Sequence, residues 1–458
     1  MNQHMRAMLL GTTASISLIG AAAAAPNLVS NGDFEAGLTD WACSGGGNCT
    51  TDVGGNPGGA FSGFDDGGVT SVTQTLTTAP GIYVIQYDFK DELISGSSLS
   101  IQFGANAPAG VALTQSYQTE TQLLATTTTS TDLAFTYSTA CCTSVLRVDN
   151  VSVVLADDGS GNNIAAAAQT VAVQASRDLL DRLQDRFNHS GSPIQTASVR
   201  ETVVADAGGS TYVNAGGKYR AFMNVFGSHG EWSSNAAEAD RRGLSLGAEM
   251  AATQGLDVGA AFAFSRTDFD TKTGFTNTGD AYEYLGALYA HWTPSSMPLY
   301  VNALVGYGSS SSDLTRTNIL GTGVANDVGA DQWFGSVEVG WDWQRSGILL
   351  TPFVRFDATL LEQDGYTEVA TGLFVPSVVA GQDLDAVRSI LGLRAEWNIA
   401  SIGRYGARVG AKVGWAHEFE TDRLVTFAQT VGPVVFAGTA SGASPEEDTA
   451  IVGANFER

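Results

Sequence analysis

The side chains that could carry chemistry are concentrated in the first third of the chain, where carboxylates are plentiful and histidine is absent between Pro26 and Asp158. Nucleophilic catalysis by serine or cysteine generally needs a base within reach, most often histidine. Two carboxylates could instead hydrolyse a glycosidic bond, but adjacent residues of a strand point to opposite faces. The carboxylate candidates are Asp65, Asp66, Asp91, Glu92 and Glu120. We expect these to be solvated acidic residues and the protein not to be an enzyme.

Aromatic side chains in the same region could bind a ligand, because their flat apolar faces can pack against a sugar ring. The candidates are Trp41, Phe61, Phe64 and Tyr117. Phe61 and Phe64 belong to a Gly-rich stretch without the lysine of a phosphate-binding loop, and this composition is typical of an exposed loop. The sequence therefore predicts ligand-binding positions at these four residues, with burial in a hydrophobic core as the alternative for each ring.

The cysteines lie in the same third of the chain, and the N-terminus indicates where they function. An apolar stretch after Arg6, followed by small residues up to Ala25, is typical of a signal peptide over residues 1–25. An exported chain meets an oxidising compartment, in which disulfides persist. The four candidates for disulfides are Cys43, Cys49, Cys141 and Cys142. Cys43 with Cys49 is the simplest loop closure, and pairing of either with Cys141 or Cys142 remains open.

The composition changes at residues 157–163, where a Thr- and Ser-rich segment gives way to an Ala-rich one. This change predicts a domain over residues 26–157 and a linker over residues 158–190. From Ile164 to Phe187 the sequence lacks Gly and Pro and carries opposite charges four residues apart, which favours a helix. Such a helix would span ~36 Å at 1.5 Å per residue, enough to thread a membrane-sized barrel.

Beyond Tyr219 the sequence contains ten stretches in which apolar and polar residues alternate. In one of them Val337, Val339 and Trp341 alternate with Glu338 and Gly340. These stretches are longer than the strands of a soluble sandwich and match membrane strands of ~9 to 11 residues or more. No apolar run after the N-terminus approaches the ~20 residues that a membrane helix needs. With 47 acidic against 23 basic residues, nucleic-acid binding is not expected.

Several segments of this half resemble a known family. They are the predicted helix, YRAFMNVFGSHGEW, RRGLSLGAEM, GLDVGAAFAFSRTDF and GWAHEF. Together they resemble the autotransporter β-domain from roughly Ile164 onward. The resemblance implies a twelve-stranded barrel in outer-membrane lipid, assembled by the barrel assembly machinery, with the helix in its pore and a passenger on the cell surface. Because we count ten strands, we expect the barrel, placed at residues 212–458, to be incomplete and two more strands to follow Arg458. The alternative is that the barrel closes in another way.

The predicted passenger, residues 26–157, begins NLVSNGDFEAGLTDWACS and ends SVLRVDNVSVVLA. These two ends resemble carbohydrate-binding, galactose-binding-like jelly rolls. The resemblance implies an extracellular glycan as partner and a structural calcium between Glu35 and Asp149. The chain is therefore predicted to be all-β, with a jelly-roll sandwich, an α-helical linker and an antiparallel outer-membrane barrel. A passive surface passenger, or a secreted hydrolase, is the alternative to a displayed binding module.

Overall fold

The computed structural model describes residues 26–45, 48–56, 58–65, 68–92, 97–139, 144–188, 195–199, 205–215, 219–232, 237–273, 275–402 and 405–457. The predicted signal peptide, residues 1–25, lies outside these ranges, and so do Cys141 and Cys142. Within them the chain forms an N-terminal sandwich, one long helix and a large antiparallel sheet that closes on itself.

The passenger is a sandwich of two five-stranded sheets, as the jelly-roll prediction requires. Its strands are β1 (Ala42–Gly45), β2 (Asn48–Gly55), β3 (Gly58–Asp65), β4 (Val69–Thr77), β5 (Gly81–Asp91), β6 (Ser97–Phe103), β7 (Ala109–Val111), β8 (Gln118–Thr126), β9 (Ser130–Thr139) and β10 (Ser144–Asp157). One sheet has the order β1-β4-β9-β6-β7 and the other β2-β3-β10-β5-β8. Alternate residues of each strand point between the sheets, where buried aromatic and aliphatic side chains form the core.

The helical linker consists of a short 3-10 turn, Ser160–Asn162, and the helix α1, Asn163–Asn188. Most described side chains of α1 are buried, including the charged Arg177, Asp178, Arg182 and Asp185, so the helix is surrounded on all sides. Among the described residues, no helix combines the length and apolar character needed to cross a membrane.

The remaining strands follow α1. They are β11 (Gln195–Val199), β12 (Ala205–Ala215), β13 (Tyr219–Trp232), β14 (Ala237–Thr253), β15 (Leu256–Thr273), β16 (Phe275–Trp292), β17 (Leu299–Asn318), β18 (Gly321–Trp341), β19 (Trp343–Arg345), β20 (Ile348–Gln363), β21 (Tyr366–Thr367), β22 (Val369–Gly372), β23 (Ser377–Val379), β24 (Gln382–Ile402), β25 (Tyr405–Glu418), β26 (Leu424–Val431), β27 (Val434–Ser441) and β28 (Asp448–Glu457). Consecutive long strands pair antiparallel, and four short ones form a separate sheet in the order β21-β23-β26-β27.

The large sheet is a closed barrel of twelve strands, because β28 pairs with β11 and β18 pairs with β20. Around the ring the order is β11, β12, β13, β14, β15, β16, β17, β18, β20, β24, β25 and β28. The sequence count of ten was therefore wrong, and the two uncounted strands, β11 and β12, precede Tyr219 rather than following Arg458. The barrel also begins before the predicted residue 212. Both strands are rich in small and polar residues, which leaves their alternation too weak to recognise.

The two faces of the barrel strands differ as a lipid-facing wall requires. On β18, Trp333, Val337 and Trp341 are each about half exposed on the outside, whereas Gln332 and Glu338 point inward and are buried. The outer residues form a band with Val337 between two tryptophans, which is the arrangement of an apolar belt flanked by aromatic girdles.

We expect Val337→Arg to destabilise the folded barrel by roughly 2–4 kcal/mol, because it places a cation at mid-height of the apolar belt. The matched control is Val369→Arg, at a position that is 71% exposed on β22, outside the long barrel strands. Denaturant unfolding of the full chain in phospholipid vesicles measures the difference. Equal stability of the two variants would contradict the assignment of this face to lipid.

The direction of α1 shows which end of the barrel holds the passenger. The Asn163 side chain accepts a hydrogen bond from Thr271 near the β15–β16 turn, at 2.9 Å, and Arg186 pairs with Glu249 near the opposite end, at 2.8 Å. The passenger end also carries the long connections 364–381 and 419–447. Because outer-membrane barrels have short periplasmic turns and long external loops, the passenger lies on the external side.

Candidate functional site

The outer face of the sheet β2-β3-β10-β5-β8 gathers charged residues of the passenger. Arg147 on β10 lies opposite Lys90 on β5 in the strand register. The Arg147 guanidinium binds both carboxylate oxygens of Asp52, with Nη2 2.8 Å from Oδ2, and also pairs with Glu92. The hydrogen bonds to Asp52 hold the pKa of Arg147 above its usual range. Arg147 is therefore fixed by the protein, while Lys90 forms no ion pair with any described residue.

Tyr117 lies beside this pair of cations. Its hydroxyl donates to the Gly54 carbonyl at 2.6 Å, and the Lys90 ammonium lies 4.7 Å from its ring centroid. Burial raises the pKa of the Tyr117 hydroxyl, so the phenol stays protonated and remains a donor. Among the passenger side chains that the structure describes, the other aromatic rings are at most 6% exposed. Tyr117 is thus the aromatic residue that a ligand could reach.

Asp88 forms a buried hydrogen-bonded centre on the same face. Its Oδ1 accepts from the Thr119 hydroxyl at 2.5 Å, and its Oδ2 accepts from the side-chain amides of Asn150 at 2.8 Å and Asn56 at 3.3 Å. Next to it, the Gln86 amide donates to the Thr121 hydroxyl at 3.4 Å. The face therefore offers a row of amides and hydroxyls, which are groups that can exchange hydrogen bonds with a polyhydroxylated ligand.

Two of the four predicted aromatic positions contradict the ligand prediction, and the side chain of a third lies outside the described part of the structure. Trp41 is 6% exposed and donates its indole N–H to the Asn31 carbonyl, and Phe61 is fully buried against Phe34. For these two rings the prediction of an exposed binding face is wrong, because both pack in the core of the sandwich. The segment around Phe61 is the strand β3 of a sheet instead of a loop. Phe64 also lies on β3, but its side chain is outside the described part of the structure.

Glu35 and Asp149, the predicted calcium ligands, meet the same turn between β2 and β3. Glu35 accepts a hydrogen bond from the Gly59 amide at 2.7 Å, and Asp149 accepts from the Asn56 amide at 2.5 Å. Burial raises the pKa of Asp149 above its ordinary value. The described residues contain no group of three or more His, Cys, Asp or Glu side chains suited to a metal ion. A cation here would therefore depend on these two carboxylates and on carbonyl oxygens of the turn.

Cys43 and Cys49 form a disulfide, which selects the simplest of the pairings that the sequence left open. The bond joins β1 to β2, which belong to different sheets, and it lies close to the edge of the sandwich. It therefore ties the first strands of the two sheets together.

Inside the barrel, α1 is held by ion pairs to the wall. Arg355, which is fully buried, binds Asp181 of the helix at 2.5 Å and Asp357 of its own strand at 2.6 Å. Arg388 on the next strand approaches the same two carboxylates, with its Nε 2.8 Å from Asp357. This cluster of two cations and two anions, called here the wall cluster, links the helix to β20 and β24.

The other charges of the helix also bind the barrel wall. Arg177 binds Glu418 at 2.6 Å, and Asp178 accepts from Arg241 at 2.7 Å. The sequence suggested pairing of such charges four residues apart within the helix, but burial inside a polar lumen brings them to partners on the wall. The helix is therefore a fixed occupant of the pore.

A match to a family model agrees with the barrel half of this architecture. A family model described as "Autotransporter beta-domain" matches residues 221–458, slightly more than half of the chain. No curated protein matches the chain. One similar solved structure is the translocator domain of autotransporter NalP from Neisseria meningitidis, 12% identical, covering 64% of this chain and 98% of that chain with a TM-score of 0.39.

Two other solved structures align with about the length of the passenger. TmCBM61, solved in complex with β-1,4-galactotriose, is 14% identical and covers 28% of this chain and 99% of that chain with a TM-score of 0.25. The enzymatically active domain of tailspike protein 4 of bacteriophage CBA120 is 18% identical, and the alignment covers 28% of this chain but only 21% of the tailspike, with a TM-score of 0.24. The family match, rather than these low-scoring likenesses, decides the assignment: the chain belongs to the autotransporter β-domain family, and its outer-membrane barrel displays the sandwich on the cell surface.

Proposed function

We propose that the displayed passenger is a non-enzymatic module that binds glycan on the outer face of the sheet β2-β3-β10-β5-β8. The observation that carries the proposal is the grouping of Tyr117, Lys90 and Gln86 on this face, with Thr119 and Thr121 beside them. The face combines an accessible ring edge, an ammonium without a carboxylate partner among the described residues, and a row of hydroxyls. These groups are complementary to the hydroxyls and C–H groups of a sugar.

The carboxylates on this face favour binding over catalysis. Asp88 accepts hydrogen bonds from three side chains, those of Thr119, Asn150 and Asn56, and Asp52 binds Arg147. A glycosidase needs one carboxyl group that can donate a proton and a second one facing the sugar. Carboxylates that are held as acceptors by the protein are poorly suited to the first of these roles. A passive surface module without a ligand is the competing function.

We further propose that calcium, when bound, stiffens the β2–β3 turn through Glu35 and Asp149. Two carboxylates and the carbonyl oxygens of a turn form a donor set of the type that calcium takes.

The partners of the barrel follow from its family: outer-membrane lipid faces its apolar belt, and we propose that the barrel assembly machinery inserts it.

Binding of the full chain, folded in detergent micelles, to a glycan array tests the proposal. We expect saturable binding that Gln86→Ala and Lys90→Ala each weaken roughly threefold to tenfold, because each removes a polar contact to the ligand. Gln102→Ala is the matched control, since Gln102 is exposed on the opposite sheet and donates only to the Gly104 carbonyl, at 3.2 Å.

The array is run once with calcium and once with a chelator. Comparing the two buffers separates the glycan-binding proposal from the calcium proposal. Binding that disappears with the chelator and in Glu35→Gln supports the calcium site as well as the glycan face. Binding that is insensitive to the chelator removes calcium from the proposal. If the full chain binds no glycan in either buffer, the passive surface module is the better description.

A further inference from the structure

The last residue of the passenger strands, Asp157, is buried at the external mouth of the barrel. Its Oδ2 accepts hydrogen bonds from Asn318 at 2.9 Å and from Gln429 at 3.0 Å, and it pairs with Arg316. Asn318 and Arg316 are on the barrel strand β17, whereas Gln429 is on β26. One carboxylate from the passenger therefore connects the barrel wall to the small external sheet.

This small sheet, β21-β23-β26-β27, is called here the cap sheet. Arg316, only 1% exposed, holds its first strands in place. The guanidinium binds Glu368 at 2.7 Å and the Ser377 hydroxyl at 2.9 Å, and its carbon lies 4.5 Å from the centroid of the Phe374 ring. The buried Arg316 therefore contacts both Asp157 and the connection that contains β21, β22 and β23.

The cap sheet also shares one hydrophobic core with the passenger and with the first turns of α1. The buried members of this core include Ile82 and Ala125 from the passenger, Ala165 and Ala166 from α1, and Val425, Phe427 and Phe436 from the cap sheet. Contact is tight at the junction, where a Cβ added to Gly159 would lie 2.0 Å from the Phe427 ring, and one added to Gly442 would lie 2.2 Å from the Ala166 Cβ. The passenger is seated on the cap sheet and is not held by a loose tether.

We propose that Asp157 is a latch: its arrival at the mouth of the barrel folds the cap sheet over the lumen and fixes the passenger in one orientation. Without this carboxylate, Arg316 and Gln429 still donate to the Val375 carbonyl, but Arg316 loses one of its two carboxylate partners, and the buried Asn318 amide has no acceptor among the described residues. A buried donor without a partner costs considerably more than a single hydrogen bond is worth, so the closed cap is disfavoured until the carboxylate is present. Folding of the cap is thereby coupled to completed export of the passenger.

Hydrogen exchange of the full chain in phospholipid vesicles tests the latch, with Asp157→Asn as the variant. The substitution keeps the shape but places an amide donor among three donors. We expect the amides of β23, β26 and β27 to exchange roughly tenfold faster or more, while those of β16 and β17 are unchanged. The matched control is Asp158→Asn, because Asp158 is exposed and accepts only a local hydrogen bond from the Ser160 amide.

Protease treatment of intact cells provides the second measurement. We expect Asp157→Asn to expose the connections 364–381 and 419–447 to cleavage and Asp158→Asn to leave them protected. Native exchange rates and native protection in Asp157→Asn would overturn the proposal. Heat-modifiable migration shows whether each variant has assembled its barrel. If Asp157→Asn does not assemble, Gln429→Ala replaces it, because it removes one donor of the same contact. Hydrogen exchange and protease protection of this variant are then measured in the same way, with the same expected and contradicting results.

Discussion

Replacing Arg355 by methionine is expected to lower the free energy of unfolding of the barrel by about 3–5 kcal/mol, because it leaves part of a buried ion-pair cluster without compensation. Arg355 binds Asp357 through Nε at 2.6 Å and through Nη2 at 2.8 Å, and it reaches Asp181 on the helix. After the substitution, the buried Asp357 and the partly buried Asp181 share the cation of Arg388. Methionine has a similar volume, so the effect is one of charge and hydrogen bonding rather than of packing.

The matched control is Arg242→Met, which removes an arginine from an exposed pair. The Arg242 side chain is 68% exposed and lies 3.3 Å from Asp268, so its loss should change stability by about 1 kcal/mol or less. Equilibrium denaturation of the full chain in phospholipid vesicles, followed by tryptophan fluorescence, compares the two variants. A similar small loss in both would show that the lumen is wet enough to screen the wall cluster and that the helix is not fixed by it.

The wall cluster illustrates what alternation in a sequence can and cannot indicate. The alternation around Val337 correctly separated a lipid face from a polar lumen face, since every second side chain of a strand shares one environment. It did not pair Asp181 with Arg355, which is 174 residues away. Such partners depend on the rotation of the helix about its axis and on the register of the barrel, and neither is encoded locally. The charges of α1 were visible, but their partners were not.

The strand count failed for a related reason. The ten counted strands have bulky apolar residues at alternate positions, whereas β12 reads ADAGGSTYVNA and β11 is only five residues long. These two strands complete the ring through backbone pairing with β13 and β28, and backbone hydrogen bonds leave no signature in side-chain composition. The family resemblance supplied the number twelve, which the residues alone did not.

In the passenger, the aromatic predictions were limited by the unknown register of the strands. A Gly-rich composition suggested an exposed loop around Phe61, but the segment pairs with β2 on one side and β10 on the other. In a strand, the side that an aromatic ring faces depends on one residue of register. Tyr117 lies immediately before β8, where the strand alternation ends, so the sequence pattern did not indicate which side its ring faces.

Phe61→Ala is expected to destabilise the passenger by about 3–5 kcal/mol, because it removes a fully buried ring from the centre of the sandwich. The Phe61 ring lies 6.2 Å from that of Phe34, so the cavity would open between the two sheets. Val53→Ala is the control: Val53 is 96% exposed, and its loss should change stability by no more than about 0.5 kcal/mol.

Thermal unfolding of the displayed passenger, followed by its protease sensitivity on intact cells, measures both variants, and glycan binding is measured below the unfolding transition. If Phe61 is a core residue, Phe61→Ala unfolds at a lower temperature than the unmodified protein but binds glycan normally below that temperature. Normal stability with lost binding would instead place the Phe61 ring at the ligand and restore the binding role that its burial contradicts. The two readouts are separable because a core cavity acts on the folding equilibrium, whereas a lost stacking face acts only on the complex.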